Sequence, residues 1–156
     1  MSKRYAENTV VPISRSRDEL ERILVRFGAT AQAWARDDEK GTVVLAFKRV
    51  GKGYKLVVHL VNAASFTQTP TGRERLASAA QEAAEQENRR RFRSLANFVK
   101  AMMDAADTGI ISAEDALLPY LILPGGATVA QALQEQMKLA PGVVDLSRTL
   151  ASRGEP

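Results

Sequence analysis

Three features of this sequence predict an α+β fold. Two β-branched, alternating stretches at 42–50 and 54–61 flank a glycine turn, the pattern of an antiparallel hairpin. A capped amphipathic stretch precedes them, and a long helical stretch follows from about Arg73 to Ala106. The expected architecture is an N-terminal helix, a three-stranded antiparallel β-meander packed by one long helix, and a small helical C-terminal part.

Thr9-Val10-Val11-Pro12-Ile13 reads as a short edge strand, because Pro12 cannot donate to a ladder. Ser16 and Glu19 fit a capping box, and Leu20, Ile23, Leu24 and Phe27 recur at helical spacing until Gly28 stops the helix. Thr30 to Arg36, carrying Trp34, makes the first strand of the meander, and Asp37 to Gly41 is a turn-rich break. Thr42 to Val50 and Tyr54 to Val61 are the next two strands, joined by Gly51-Lys52-Gly53. Val43, Leu45 and Phe47 share one face, as do Tyr54, Leu56, Val58 and Leu60.

Beyond a polar break at 62–72, the long helix would reach roughly 50 Å at ~1.5 Å per residue if unbroken. Leu76, Ala80 and Ala83 give its first half only a thin apolar stripe, so that half is expected to project. Leu95, Val99, Met102, Met103 and Ala106 give the second half a strong stripe that packs on the sheet. Ser112 and Asp115 open a short helix that Pro119 disturbs. Leu121 to Leu123 forms an apolar turn or short strand ahead of Pro124-Gly125-Gly126. Thr128 and Gln131 then cap a last helix that ends at Ala140-Pro141-Gly142. One domain over 1–141 and a loose tail over 142–156 are expected.

A chain of 156 residues with 45% hydrophobic content can bury one ordinary core. It contains no cysteine, which excludes disulfides and thiolate metal sites and suits a reducing cytosol. No apolar run approaches the ~18 residues of a membrane span, and the first residues lack the apolar core of a signal peptide. A soluble, cytoplasmic protein is expected. The formal net charge of +4 is unevenly placed. Lys40, Lys48, Arg49, Lys52 and Lys55 lie between Lys40 and His59 with no acid among them. Asp104, Asp107, Glu114, Asp115 and Glu135 lie between Asp104 and Met137 with no base. A basic side and an acidic side would steer and orient a polyanion.

Candidate chemistry is sparse. His59 is the only histidine and has no cysteine or second histidine to anchor a catalytic pair. Asp37, Asp38 and Glu39 lack the alternation of a calcium loop, and a solvated hairpin tip accounts for them. Glu82 and Glu85 lack the histidine motif of a di-iron site. The glycine turn before the last helix is anion-friendly but lacks the lysine and spacing of a P-loop. No catalytic residue, metal ligand or cofactor is assigned.

The strongest signal is Asn88-Arg89-Arg90-Arg91-Phe92-Arg93. Guanidinium groups pair bidentately with phosphates and release counterions on binding. Lys48, Arg49, Lys52 and Lys55 on the hairpin form a second basic element, with Phe47 and Tyr54 interleaved as bases would need for stacking. The competing account is local: Glu82, Glu85 and Glu87 precede the arginines at helical spacing and would pair with them. A protein-binding face is the third possibility. The thin stripe between Leu76 and Ala83 also suggests a homodimer through residues 73–90.

Tyr5-Ala6-Glu7-Asn8-Thr9-Val10, Arg26-Phe27-Gly28, the Arg90 to Lys100 helix and Leu123 to Val129 together resemble small uncharacterised proteins of tailed phages and prophages. The resemblance covers about residues 5 to 135 and carries no assigned activity. It implies a setting of nucleic-acid transactions or counter-defence inside a host cell. The meander followed by a long helix also resembles, in architecture alone, the core of single-strand annealing proteins. The expected function is therefore a non-enzymatic accessory protein that binds nucleic acid, single-stranded in preference, or a nucleoprotein complex. Arg89, Arg90, Arg91 and Arg93 would make phosphate contacts, aided by Lys48, Arg49, Lys52 and Lys55. The alternative is an anti-defence inhibitor, resembling an anti-CRISPR, that occupies a host effector through the acidic stretch or the long helix.

Overall fold

A computed structural model describes residues 11–139. Helix α1 (Ile13–Arg26) leads into strands β1 (Ala29–Asp37), β2 (Thr42–Arg49) and β3 (Lys52–His59). A 3-10 turn, Ala63–Phe66, precedes the long helix α2 (Ala77–Asp107). Helix α3 (Ala113–Leu117), a second 3-10 turn at Leu118–Tyr120 and helix α4 (Val129–Leu139) complete the described chain. The sheet is an antiparallel meander in the order β1-β2-β3, so the expected α+β architecture is present.

Register follows side-chain alternation. Trp34 lies opposite Leu45, and Leu45 opposite Leu56, which puts all three on one face. That face carries Val43, Leu45, Phe47, Tyr54, Leu56 and Val58, all buried. Leu20 and Leu24 of α1, Ala96, Val99 and Met103 of α2, and Leu117 of α3 complete the core against it. Trp34 and Leu95 pack against both this cluster and the Val43–Val58–Phe92 group, making the core continuous. The opposite face keeps Ala31, Ala33, Ala35 and Val57 exposed, the one-sided burial that an antiparallel sheet permits.

Several boundaries differ from the sequence expectation. The edge strand ending at Ile13 is not formed over its described part, since Ile13 opens α1. Its residues 9 and 10, like the 142–156 tail, lie outside the described residues. Ser16 does not cap α1: the helix begins three residues earlier behind Pro12, whose carbonyl accepts from the Ser16 backbone N–H. Ser16 is fully buried instead, and its Oγ has no partner among the described residues. Glu19 turns toward α2.

The β2–β3 turn is Val50-Gly51, not Gly51-Lys52-Gly53, because Arg49 pairs with Lys52. Both turn residues have positive φ, 48° for Val50 and 74° for Gly51, as a two-residue hairpin matching the strand twist requires. A valine in that conformation is unusual.

Helix α2 starts at Ala77 rather than Arg73. Arg73 to Leu76 is extended, held by backbone bonds from Arg75 N to Thr67 O and from Thr69 N to Arg73 O. Its first half does not project. Ala80 and Ala84 are buried, and the 63–66 turn packs on the helix. Of the thin stripe, Ala80 is buried and Ala83 half-buried within the chain. Of the residues that suggested self-association, Leu76 stays 78% exposed.

The C-terminal caps are as expected. Ser112 Oγ accepts from Asp115 N, and Thr128 and Gln131 exchange a reciprocal pair of capping bonds. Leu121 bridges to Tyr54 at the β3 edge and Ile122 to Thr128, so 121–123 is the short extended segment foreseen. Among the described residues, no helix is long and apolar enough to cross a membrane.

Candidate nucleic-acid interface

Consecutive residues on an α-helix point about 100° apart, so four arginines at 89, 90, 91 and 93 radiate around α2 instead of forming one patch. Their partners differ accordingly. Arg90 grips Glu87 with two bonds, Nε to Oε2 at 2.7 Å and Nη2 to Oε1 at 2.6 Å. Arg91 Nε adds a third at 3.1 Å to Glu87 Oε1, while its Nη1 donates to the His59 carbonyl. The Arg90 bonds chiefly, and Arg91 after them, hold the Glu87 carboxyl below its usual range against the opposing effect of burial. Arg93 pairs with Glu19 of α1 and fastens the two helices together.

Arg89 is different. Its Nε is buried and has no hydrogen-bond partner among the described residues. Three of the four predicted phosphate contacts are thus engaged inside the fold, and Arg89 stands apart.

The hairpin cations divide in the same way. Arg49 Nε donates to Phe27 O at 2.9 Å and its Nη1 to Glu114 Oε1 at 3.2 Å, tying the end of α1 and the start of α3 to the sheet. The Glu114 carboxyl lies below its usual range, first because of its own backbone N–H and then because of Arg49. Lys55 Nζ donates to Gly126 O at 2.5 Å, so the glycine turn accepts a cation and serves as a structural turn. Lys48 and Lys52 remain exposed.

Phe47 and Tyr54 do not offer stacking surfaces. They stack on each other, with centroids 5.3 Å apart, and are 4% and 3% exposed in the core. Nor does the fold join hairpin and arginines. Arg91 reaches the His59 end of β3, while Lys52 opens the other end, about 23 Å away at ~3.3 Å per residue.

What the fold assembles around Arg89 is a cleft of about 930 Å³ between α1, the sheet and α2. Arg17, Trp34 and Arg36 line it, and none of them stood out in the sequence. Trp34 is fixed on three sides. Phe92 lies against it at 6.1 Å between centroids, its Nε1 donates to Glu21 Oε1 at 2.7 Å, and the Arg17 guanidinium sits 4.5 Å from the ring centroid. This cation–π contact orients Arg17 without using its N–H donors. Arg36 is engaged by Asp38 at 2.5 Å. Asn88 closes the floor, its amide exchanging two 2.9 Å bonds with the Val61 backbone.

One helical turn along α2, Arg93 joins Arg15, Arg22 and Glu19 around a smaller cleft of about 450 Å³. The two clefts flank α1 and, among the described residues, together hold six arginines (15, 17, 22, 36, 89 and 93) against three carboxylates (Glu19, Asp38 and Glu85). The usable signal was on α1, where Arg15, Glu19 and Arg22 share one face at i, i+4, i+7.

The remaining candidates serve local structure. Asp37 accepts from the Lys40 N–H at 2.9 Å and closes its turn. Glu85 accepts from Gln81, and His59 is an exposed strand residue. Among the described residues, no three histidine or carboxylate side chains gather as a metal ion would need. Comparison with protein-family models, with curated proteins and with solved structures finds no match to this chain.

Proposed function

We propose that this chain is a non-enzymatic accessory protein that binds nucleic acid, single-stranded in preference, or a nucleoprotein complex, in the cytoplasm of a phage-bearing host. One observation carries the reading: among the described residues, six arginines and only three carboxylates line the paired clefts flanking α1. Such an excess of guanidinium groups in concave surface favours phosphate and concentrates polyanions. The reading shifts weight from the expected cluster to Arg15, Arg17, Arg22 and Arg89. Arg90, Arg91 and Arg93 support the helix, and Lys48 and Lys52 are a separate exposed pair. The phage setting rests on the resemblance in sequence alone.

The test is fluorescence anisotropy with a labelled oligothymidylate and a duplex across a salt series. Affinity for the single strand should fall steeply with salt. Replacing Arg15, Arg17, Arg22 and Arg89 together with glutamine should flatten that slope by ~0.7 for each phosphate no longer neutralised. Equal binding by the quadruple variant would refute the assignment.

A protein-binding role, including an anti-defence one, is favoured by a different feature. Phe98, 46% exposed, meets Tyr120 edge-on, and Leu118 beside Tyr120 is 49% exposed; Leu118 and Tyr120 lie within the 104–137 stretch that carries acids and no base. A stable complex with a host protein that survives nuclease treatment, with no oligonucleotide binding, would favour this second reading.

A further inference from the structure

We propose that the 930 Å³ cleft is a site for a single phosphorylated nucleoside, with the phosphate on Arg17 and Arg89 and the base on the apolar floor. The inference rests on the nucleic-acid reading and narrows it to one ligand.

Arg89 lines the cleft half-buried, and its Nε has no acceptor among the described residues, so none of their carboxylates holds this donor. Arg17 is held over Trp34 by its π-face and makes no hydrogen bond or ion pair among the described residues. Among the described residues its planar fork is therefore unengaged and can meet two phosphate oxygens. Because Trp34 already fixes this guanidinium, little side-chain entropy remains to be lost on binding.

The carboxylates of the cleft compete weakly. Asp38 is engaged by Arg36, and Glu85 accepts from Gln81. Below the cations, half-buried Ile13 and Leu60 supply apolar surface, and the volume lies in the range of sites that hold small ligands. A duplex keeps its bases stacked inside its phosphates and cannot place one on that floor. An unpaired nucleotide can.

Trp34 is the only tryptophan, so intrinsic fluorescence reports on this cleft. Adenosine monophosphate, with excitation at the red edge of the tryptophan band, should produce a saturable change. Displacement of a labelled nucleotide gives a second readout independent of Trp34. Arg17→Gln and Arg89→Gln should each weaken binding about tenfold or more, with unchanged circular dichroism. Adenosine, lacking the phosphate, should bind correspondingly worse, and Lys138→Gln on α4 should match the unmodified protein.

Absence of a saturable response at millimolar nucleotide overturns the proposal, as does full affinity in both arginine variants. In either case the oligothymidylate titration separates the two levels. Strand binding without nucleotide binding removes this site alone, and binding of neither removes the nucleic-acid reading too. Where the nucleotide binds, an oligothymidylate with no terminal phosphate identifies its source. Competition by that strand assigns an internal nucleotide, and lack of competition assigns a free or terminal one.

Discussion

Asn88 offers a direct test of how the cleft is held open. Val61 lies past the end of β3, where no strand of the described residues pairs with it. The Asn88 side chain takes the strand's place: Oδ1 accepts from Val61 N and Nδ2 donates to Val61 O, both at 2.9 Å. Asn88→Ala removes both bonds and leaves a half-buried N–H and C=O without partners. At ~1 kcal/mol net for each neutral hydrogen bond, the loss should be about 2 kcal/mol. For a urea dependence of ~2 kcal/mol per molar, the unfolding midpoint should fall by about 1 M. Asn88→Asp supplies the control. It keeps an acceptor for Val61 N but faces the Val61 carbonyl with a carboxylate, so it should lose at least half as much. Equilibrium urea unfolding followed by circular dichroism measures both. A midpoint shift under ~0.3 M for Asn88→Ala, or an Asn88→Asp variant as stable as the unmodified protein, would refute the clamp.

Three further outcomes follow from features already described. Glu87→Gln should weaken the hold on Arg90 and Arg91, steepening the salt dependence of oligonucleotide binding by up to ~0.7 for each arginine that reaches a phosphate. Because the folded Glu87 carboxyl lies below its ordinary value, its contribution is present above the ordinary carboxylate range and lost as pH falls through the folded value. Urea midpoints of variant and unmodified protein should therefore converge in acid, and a constant gap would show that pairing with Glu87 is not the cause. Ser16→Ala should raise stability by about 1 kcal/mol, since the hydroxyl it deletes is buried and unpaired and alanine favours helix. A lower urea midpoint would reveal a partner for that hydroxyl. Val50→Asn should stabilise the hairpin by up to ~1 kcal/mol, because asparagine tolerates the positive φ that valine resists; a lower melting temperature would refute this.

The sheet was legible because its signals are local. Alternation in Val43-Val44-Leu45 and Tyr54-Lys55-Leu56 states which side chains go in, and the two glycine-containing turns state where the chain reverses. The Ser112 and Thr128 caps were legible for the same reason, since their bonds span three residues. Ser16-x-x-Glu19 has the same form, yet tertiary packing claimed both residues, one for the core and one for Arg93. The candidate site was far less legible. Adjacency in Arg89-Arg90-Arg91 drew attention to a row that helical geometry disperses. The cleft instead combines Arg17, Trp34 and Arg89, whose positions converge only once α1 and α2 have packed on the sheet. Phe47 and Tyr54 misled for the converse reason: side chains alternate along a strand, so each turns into the core, away from its neighbouring Lys48 or Lys55.

The ion pair between Glu19 and Arg93 also bears on the order in which the chain assembles. Partners in the meander, such as Trp34 with Leu45 and Leu45 with Leu56, are 11 positions apart, whereas Glu19 and Arg93 are 74 apart. Closing the longer span costs about 1.7 kcal/mol more chain entropy, so the hairpins can form before α2 arrives. Interactions of that late kind act mainly on the unfolding rate. The pair therefore serves as a latch on the finished fold, setting how long the native state lasts more than how quickly it is reached.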